Sequence, residues 1–264
     1  MTSFLQYKKN VFSQNGEDGI IEEIFKILNI KNGLFIEFGA WDGKFLSNSY
    51  KLFEEGWGGI FIEADNNKYR ELTHNFAKYE RIQCINKYVG FTEDDSLDNI
   101  IDNSKFSNNM FDFVSIDVDG LDYFIFEKIN KHLPKVICIE VSSGHAPDFS
   151  EIIPASIAYN NVGQSITVMS NTAAEKGYFP LCYTGNLFFI KNEYKHLFEP
   201  YIKSVVDIYL DFLENIVEPD RDLMIYLQRL FCQEDGRTDR LKAMFGYVFN
   251  NNPYLASFLS KRLH

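Results

Sequence analysis

Residues Leu34 to Glu63 read LFIEFGAWDGKFLSNSYKLFEEGWGGIFIE, and this stretch decides the fold. Two short apolar runs, 34–38 and 59–63, bracket a turn carrying Gly39 and Gly43 and a helical stretch that runs through Phe53. Both runs are continuous rather than alternating, as expected of parallel strands covered by helices on both faces. An acid stands inside or at the end of each, Glu37 in the first and Glu63 in the second.

The same rhythm extends in both directions. Upstream, residues 15–29 predict a helix whose apolar positions are Ile20, Ile21, Ile24, Phe25 and Leu28, with Asn15 as N-cap and Asp18 three residues on. Downstream, strands are predicted at 81–86, 111–117 and 135–141, with helices near 69–78, 96–101 and 123–130. A long loop follows, then a helix ending at Lys176-Gly177. Two further strands, 178–183 and 186–190, are joined by Thr184-Gly185, a tight-hairpin signature. Five βα units closed by an antiparallel hairpin predict an α/β fold: a doubly wound, mostly parallel seven-stranded sheet of Rossmann-like type. Residues 1–192 are expected to form that domain and 193–264 a helical C-terminal extension. In the extension, Tyr201, Ile202, Val205, Val206, Tyr209, Phe212, Leu213 and Ile216 make one apolar face that the domain or a second subunit must cover, so a homodimer is one expectation.

Composition narrows the partners. The 264 residues carry a net charge of −11, which speaks against a nucleic-acid substrate; Arg237, Arg240 and Lys242 form the only modest basic group. The chain has 25 Phe and 15 Tyr, most of them expected in the core. Cys84, Cys138, Cys182 and Cys232 form no C-x-x-C pair, which suits a reducing cytoplasm rather than a disulfide framework. No secretory h-region and no membrane-length apolar run is visible, so a cytoplasmic location is expected.

The candidate site residues sit where strands end. Glu37-Phe38-Gly39-Ala40-Trp41-Asp42-Gly43 is an E-x-G-x-x-x-G turn: Gly39 allows a sharp bend and close ligand approach, and Glu37 can accept a hydrogen bond from the ammonium of a bound methionine moiety. Glu63, with Ala64 after it, lies about 20 residues beyond the turn, where a carboxylate takes the ribose hydroxyls of a nucleoside cofactor. Trp41 occupies the place of the middle glycine of a dinucleotide fingerprint, so a cofactor without a pyrophosphate fits better. Val89 and Gly90, after the third strand, are placed to flank an adenine ring.

The fourth strand runs into Asp117-Val118-Asp119-Gly120-Leu121-Asp122. Three carboxylates so close together require a positive partner. Asp117, with Glu140 at the end of the fifth strand, can hold a hard divalent ion such as Mg2+; alternatively Asp117 meets the charge of the cofactor and Asp122 caps the next helix. The loop after the fifth strand carries Ser142, Ser143 and His145. His145 is the only one of five histidines in such a loop, and His74 and His132 are read as helical. Removing a hydroxyl proton needs a base, for which His145 is the first candidate and Asp117 the second.

These residues resemble the FkbM-type methyltransferases, a family of S-adenosylmethionine-dependent O-methyltransferases. The resemblance covers roughly residues 13–191 and rests on Ser13-Gln14-Asn15-Gly16-Glu17-Asp18, Phe35 to Gly43, Asp117-Val118-Asp119-Gly120 and Lys176-Gly177-Tyr178. The strand pattern is also that of the class I methyltransferase sheet. The resemblance implies S-adenosylmethionine as cofactor, with Gln14, Glu37, Gly39, Ala40, Trp41, Glu63, Ala64, Val89, Gly90 and Asp117 around it. It further implies a small-molecule acceptor, an activated sugar used for bacterial capsule or surface polysaccharide. Asp119, where the family more often has Glu, and the helical tail depart from the pattern. Two other readings stay open: a metal-dependent glycosyltransferase using Asp117-Val118-Asp119 as a D-x-D motif, and a non-catalytic nucleotide-binding module.

Overall fold

A computed structural model describes residues 2–159 and 162–216. Cys232, the basic group at 237–242 and the rest of the predicted extension, 217–264, lie outside the described residues.

The strands are β1 (Leu34–Phe38), β2 (Gly58–Glu63), β3 (Ile82–Asn86), β4 (Phe113–Ile116), β5 (Val136–Glu140), β6 (Tyr178–Tyr183) and β7 (Asn186–Lys191). They form one sheet in the order β3-β2-β1-β4-β5-β7-β6, parallel except for β7, which runs antiparallel between β5 and β6. This is the predicted doubly wound, mostly parallel seven-stranded sheet.

The helices are α1 (Glu17–Ile27), α2 (Tyr50–Glu54), α3 (Asn66–Phe76), α4 (Leu97–Asp102), α5 (Asp122–Lys128), α6 (Ala155–Ala158), α7 (Ile166–Glu175) and α8 (Val205–Asn215). Four begin at residues whose short oxygen-bearing side chains accept first-turn amides: Asp65 from Asn67 and Lys68, Ser96 from Asn99, Ser165 from Val168, and Ser204 from Asp207. Helix α1 starts differently from the expectation. Its N-cap is Gly16, in a left-handed conformation, and not Asn15; no side chain caps it.

Period-two alternation sorts the continuous apolar strands into two cores. Phe35, Phe61, Phe113 and Cys138 pack with α1 and α3 on one face. Ile36, Ile60, Val114 and Ile137 pack with α4, α5 and α7 on the other. The apolar face of α8 joins this second core: Ile208, Tyr209, Phe212 and Leu213 are buried against the domain itself. Of the face that motivated a dimer, Tyr209, Phe212 and Leu213 are thus covered within the chain, while Val206 is exposed. The tyrosine hydroxyl of Tyr209 donates to the Ser143 carbonyl at 2.8 Å, tying the extension to the loop after β5.

Candidate active site

Strand parity places the acids. Glu37, Glu63 and Glu140 share the parity of Phe35, Phe61 and Cys138, so all three point to the α1 face at the carboxyl edge. Register does the rest. Ser115 lies opposite Cys138, so two residues further on Asp117 and Glu140 come together. Carboxylate oxygens of Asp117, Asp119 and Glu140 lie within 4.8 Å of one another. The expected pair thus gains Asp119 as a third member.

Glu37 is buried, and its oxygens are taken up by the following loop: Ser47 Oγ donates at 2.6 Å, and the amides of Asn48 and Ser49 at 3.1 and 3.2 Å. Asn48 in turn donates to Ser115 Oγ at 3.0 Å. Glu37 therefore organises residues 47–49, between the glycine turn and α2. Burial pushes its carboxyl up to about 7, the hydrogen bonds offsetting only part of the effect. Among the described residues no cation pairs with it.

Gly39 has φ +72°, and a Cβ there would stand 2.6 Å from the Asp117 carbonyl oxygen. Its small size is needed by the protein's own β4 end, so the close approach is to backbone and not only to a ligand. Ala40 is buried, and its amide donates to the Ile62 carbonyl. Trp41 sits in the left-handed region at φ +48° and is 42% exposed, and Lys68 Nζ lies 4.0 Å from the ring centroid. Glu63 holds this bend: one oxygen accepts from the Trp41 amide and the other from the Asp65 amide, both at 2.8 Å. Ala64 is exposed beside it.

The loop after β3 departs from the expectation. Val89 is buried in the core, and the space over Gly90 is filled by the Asp95 carboxylate. The exposed side chain there is the neighbouring Tyr88, 52% accessible, which sequence reasoning passed over.

Asp122 does not cap α5 as predicted: it is the first residue of that helix, whose N-cap is Leu121 with no side-chain cap. Its carboxylate accepts from the Val118 and Gly120 amides, each at 2.9 Å, fixing a turn in which Asp119 takes φ +56° and Gly120 φ +108°. Burial first, and then the charge of Asp117, raises its pKa. Asp117 is likewise held above the usual carboxylate range, by protein crowded around it and by the negative charges of Asp119 and Glu17, although its side chain still meets solvent.

A crevice of about 820 Å³ opens at this edge. Lys8, Lys9, Gln14, Asn15 and Gly16 line it from the N-terminal segment, Asp117, Glu140 and Val141 from the strand ends, Tyr183 to Asn186 from the hairpin, and Phe212, Asn215 and Ile216 from α8. Of the residues expected around the cofactor, Gln14 and Asp117 line this crevice, and Glu37, Gly39, Ala40, Trp41, Glu63, Ala64, Val89 and Gly90 do not. Glu17 and Asp18 instead support the wall: Glu17 accepts from the Asn15 amide and from Thr184 Oγ1, and Asp18 from the amides of Val11, Phe12 and Ser13. His145 is outside this lining. It stacks on Phe149, ring centroids 5.0 Å apart and planes 20° apart. His132 is not helical; it follows α5, with Nε2 2.7 Å from Asp102.

The raised carboxyls predict the pH dependence of stability. An acid whose folded pKa exceeds its unfolded one binds its proton more tightly when folded, so the folded state gains as pH falls through the folded value. For Glu37 that window runs from above about 7 down to the ordinary carboxylate range. Glu22, Asp65 and Asp102, which are lowered, lose their contributions only below that range. The ligand-free protein should therefore melt several degrees higher near about pH 5.5 than near about pH 8. Glu37→Gln should flatten part of the slope. A melting temperature that falls with pH across this window would refute the assignment.

No protein-family model and no curated protein matches the chain. Solved structures resemble it weakly. A candidate caffeoyl-CoA O-methyltransferase from Staphylococcus aureus is 14% identical over 71% of this chain and 87% of its own, with a TM-score of 0.45. An S-adenosylhomocysteine-bound methyltransferase from Podospora anserina, PaMTH1, is 15% identical over 68% and 79%, also with a TM-score of 0.45. An S-adenosylmethionine-dependent methyltransferase from Aquifex aeolicus is 11% identical over 64% and 86%, with a TM-score of 0.39. Likeness at this level transfers no chemistry. No helix among the described residues is long and apolar enough to cross a membrane.

Proposed function

We propose that the chain is an S-adenosylmethionine-dependent O-methyltransferase acting on the hydroxyl of an activated sugar, a nucleotide-linked hexose or heptose destined for bacterial capsule or surface polysaccharide. One observation carries the reading. Glu37, Glu63, Asp117, Asp119 and Asp122 gather at the carboxyl edge of the sheet, and among the described residues none of them is ion-paired. Such an edge favours a cationic ligand, because clustered carboxylates repel one another in a partly desolvated crevice.

S-adenosylmethionine fits that demand on the donor chemistry present. Its ammonium matches buried Glu37, a carboxyl that burial raises to about 7, and its ribose hydroxyls match the remaining acceptor capacity of Glu63 at the end of β2. Gly39, Ala40 and Trp41 would shape the turn between them, with Ala64 and the exposed Tyr88 beside the nucleoside. When bound, the sulfonium supplies an electrophilic methyl group. The protein must then orient the acceptor oxygen and take its proton. Asp117 is the favoured base, since it lies in the crevice and its raised pKa suits proton uptake; His145 does not line the crevice. Asp117, Asp119 and Glu140 also form an all-oxygen donor set suited to Mg2+, which would orient and acidify the hydroxyl. The proximity of Asp117 and Asp119 equally favours the second reading, a D-x-D glycosyltransferase.

Calorimetry separates the two. S-adenosylhomocysteine should bind with micromolar affinity while a uridine sugar nucleotide, added without it, binds much more weakly. Tight binding of the sugar nucleotide with no binding of S-adenosylhomocysteine would replace the methyltransferase with the glycosyltransferase.

A further inference from the structure

Lys8 and Lys9 both line the crevice, and neither ammonium makes a hydrogen bond or ion pair among the described residues. Neither lysine is among the charges that shift Asp117, which are those of Asp119 and Glu17, although Glu17 acts on Lys8 and Lys9 acts on Glu22. Nor are they held loosely. The Lys9 amide donates to the Gly16 carbonyl at 3.2 Å, and the Gly19 amide donates to the Lys9 carbonyl at 3.1 Å. A Cβ on Gly16 would stand 2.8 Å from the Lys8 Cβ, and one on Gly19 2.7 Å from the Lys9 Cβ. Two glycines at the start of α1 therefore let the lysine backbone and stems lie directly against the helix. Crowding lowers the Lys8 pKa, partly opposed by the charge of Glu17. The same lining carries the amide side chains of Asn10, Asn15, Asn186 and Asn215 and the rings of Tyr183 and Phe212.

We infer that Lys8 and Lys9 form the anion-binding end of the acceptor site and recognise a phosphate or diphosphate group on the molecule whose hydroxyl reaches Asp117. This rests on the methyltransferase reading and adds the acceptor's charged group to it. Two ammonium groups in one crevice match an anion of charge two or more with several oxygens, whereas a lone carboxylate needs only one. The chain's net charge of −11 repels polyanions at long range, so an anionic acceptor needs local cations. The neighbouring amides can serve its remaining oxygens, and the rings can cover an apolar or planar portion.

The test uses the full chain, with inorganic pyrophosphate and uridine diphosphate as probes and S-adenosylhomocysteine as an independent control, all by calorimetry. Pyrophosphate should bind the wild type. Lys8→Met combined with Lys9→Met should weaken it about tenfold or more, while Lys8→Arg with Lys9→Arg stays within about threefold and S-adenosylhomocysteine affinity is unchanged in both. Uridine diphosphate binding much more tightly than pyrophosphate would place the phosphates on a nucleoside; equal affinities would place them on another scaffold, and either supports the inference. Pyrophosphate that fails to bind, or binds the methionine variant as tightly as wild type, overturns it. Failure of S-adenosylhomocysteine alone overturns the methyltransferase reading, and the pyrophosphate comparison still decides the role of the lysines.

Discussion

Replacing Asp18 with alanine is expected to cost about 2–4 kcal/mol of folding stability, read as a lower midpoint in urea at unchanged slope. One carboxylate oxygen accepts from the amides of Val11, Phe12 and Ser13, each at 2.8 Å, and from Ser13 Oγ at 2.7 Å. The Ser13 hydroxyl accepts in return from the Asp18 amide at 3.1 Å. The pair folds residues 11–13 back over the start of α1, whose N-cap Gly16 has no side chain to offer. Alanine removes the shared acceptor. The Val11 amide can turn to water, because that residue is 47% exposed, but Ser13 is buried and its amide cannot do so easily. Asp18→Asn keeps one carbonyl oxygen and should lose about half as much. The functional consequence follows from position: Gln14, Asn15 and Gly16 line the crevice immediately after this anchored segment. Pyrophosphate binding should weaken in Asp18→Ala even below its melting temperature. A loss under about 1 kcal/mol would mean that other contacts hold the segment.

Asp18 also marks where sequence reading reaches its limit. The sheet was legible because continuous apolar runs, glycine turns and the 184–185 hairpin are local signals, and all seven strands lie within two residues of their expected bounds. Acids at strand ends were legible for the same reason. What those acids do was not. Glu37 reads as a ligand acceptor, but its second task, gathering three donors from the loop at 47–49, is written in no local pattern. Val89 and Gly90 read as a cofactor surface until their burial and the Asp95 carboxylate are seen. His145 reads as a base by its loop position, yet stacking on Phe149 sets its place. The meeting of Asp117 with Glu140 depends on the register between β4 and β5, which no local pattern encodes. Lys8, Lys9, Phe212 and Asn215 meet in one crevice only because both ends of the described chain fold over the same sheet edge. The tail, which the family resemblance leaves unexplained, thereby becomes part of the wall that the acceptor would meet.

Asp117→Asn should have the largest effect on turnover, a loss of about a hundredfold to a thousandfold against whichever activated sugar proves to be the acceptor. The amide preserves size and shape, so the turn held by Asp122 should persist and stability should stay near wild type or rise slightly as one of three crowded charges is removed. What disappears is the ability to take a proton from the hydroxyl and to bind a hard cation at full strength. S-adenosylhomocysteine affinity should remain within a few-fold, because Glu37 and Glu63, one and two strands away from β4 in the sheet order, carry the recognition proposed for the cofactor. Asp119→Asn separates the two jobs left to Asp117. If a cation is the working part, Asp119→Asn should approach the loss seen at Asp117, and added Mg2+ should no longer raise the rate. If proton transfer by Asp117 is the working part, Asp119→Asn should be the milder change. Should Asp117→Asn lower S-adenosylhomocysteine affinity in proportion to turnover, Asp117 would belong to the cofactor's own binding, and the roles of base and metal ligand would both have to move elsewhere in the crevice.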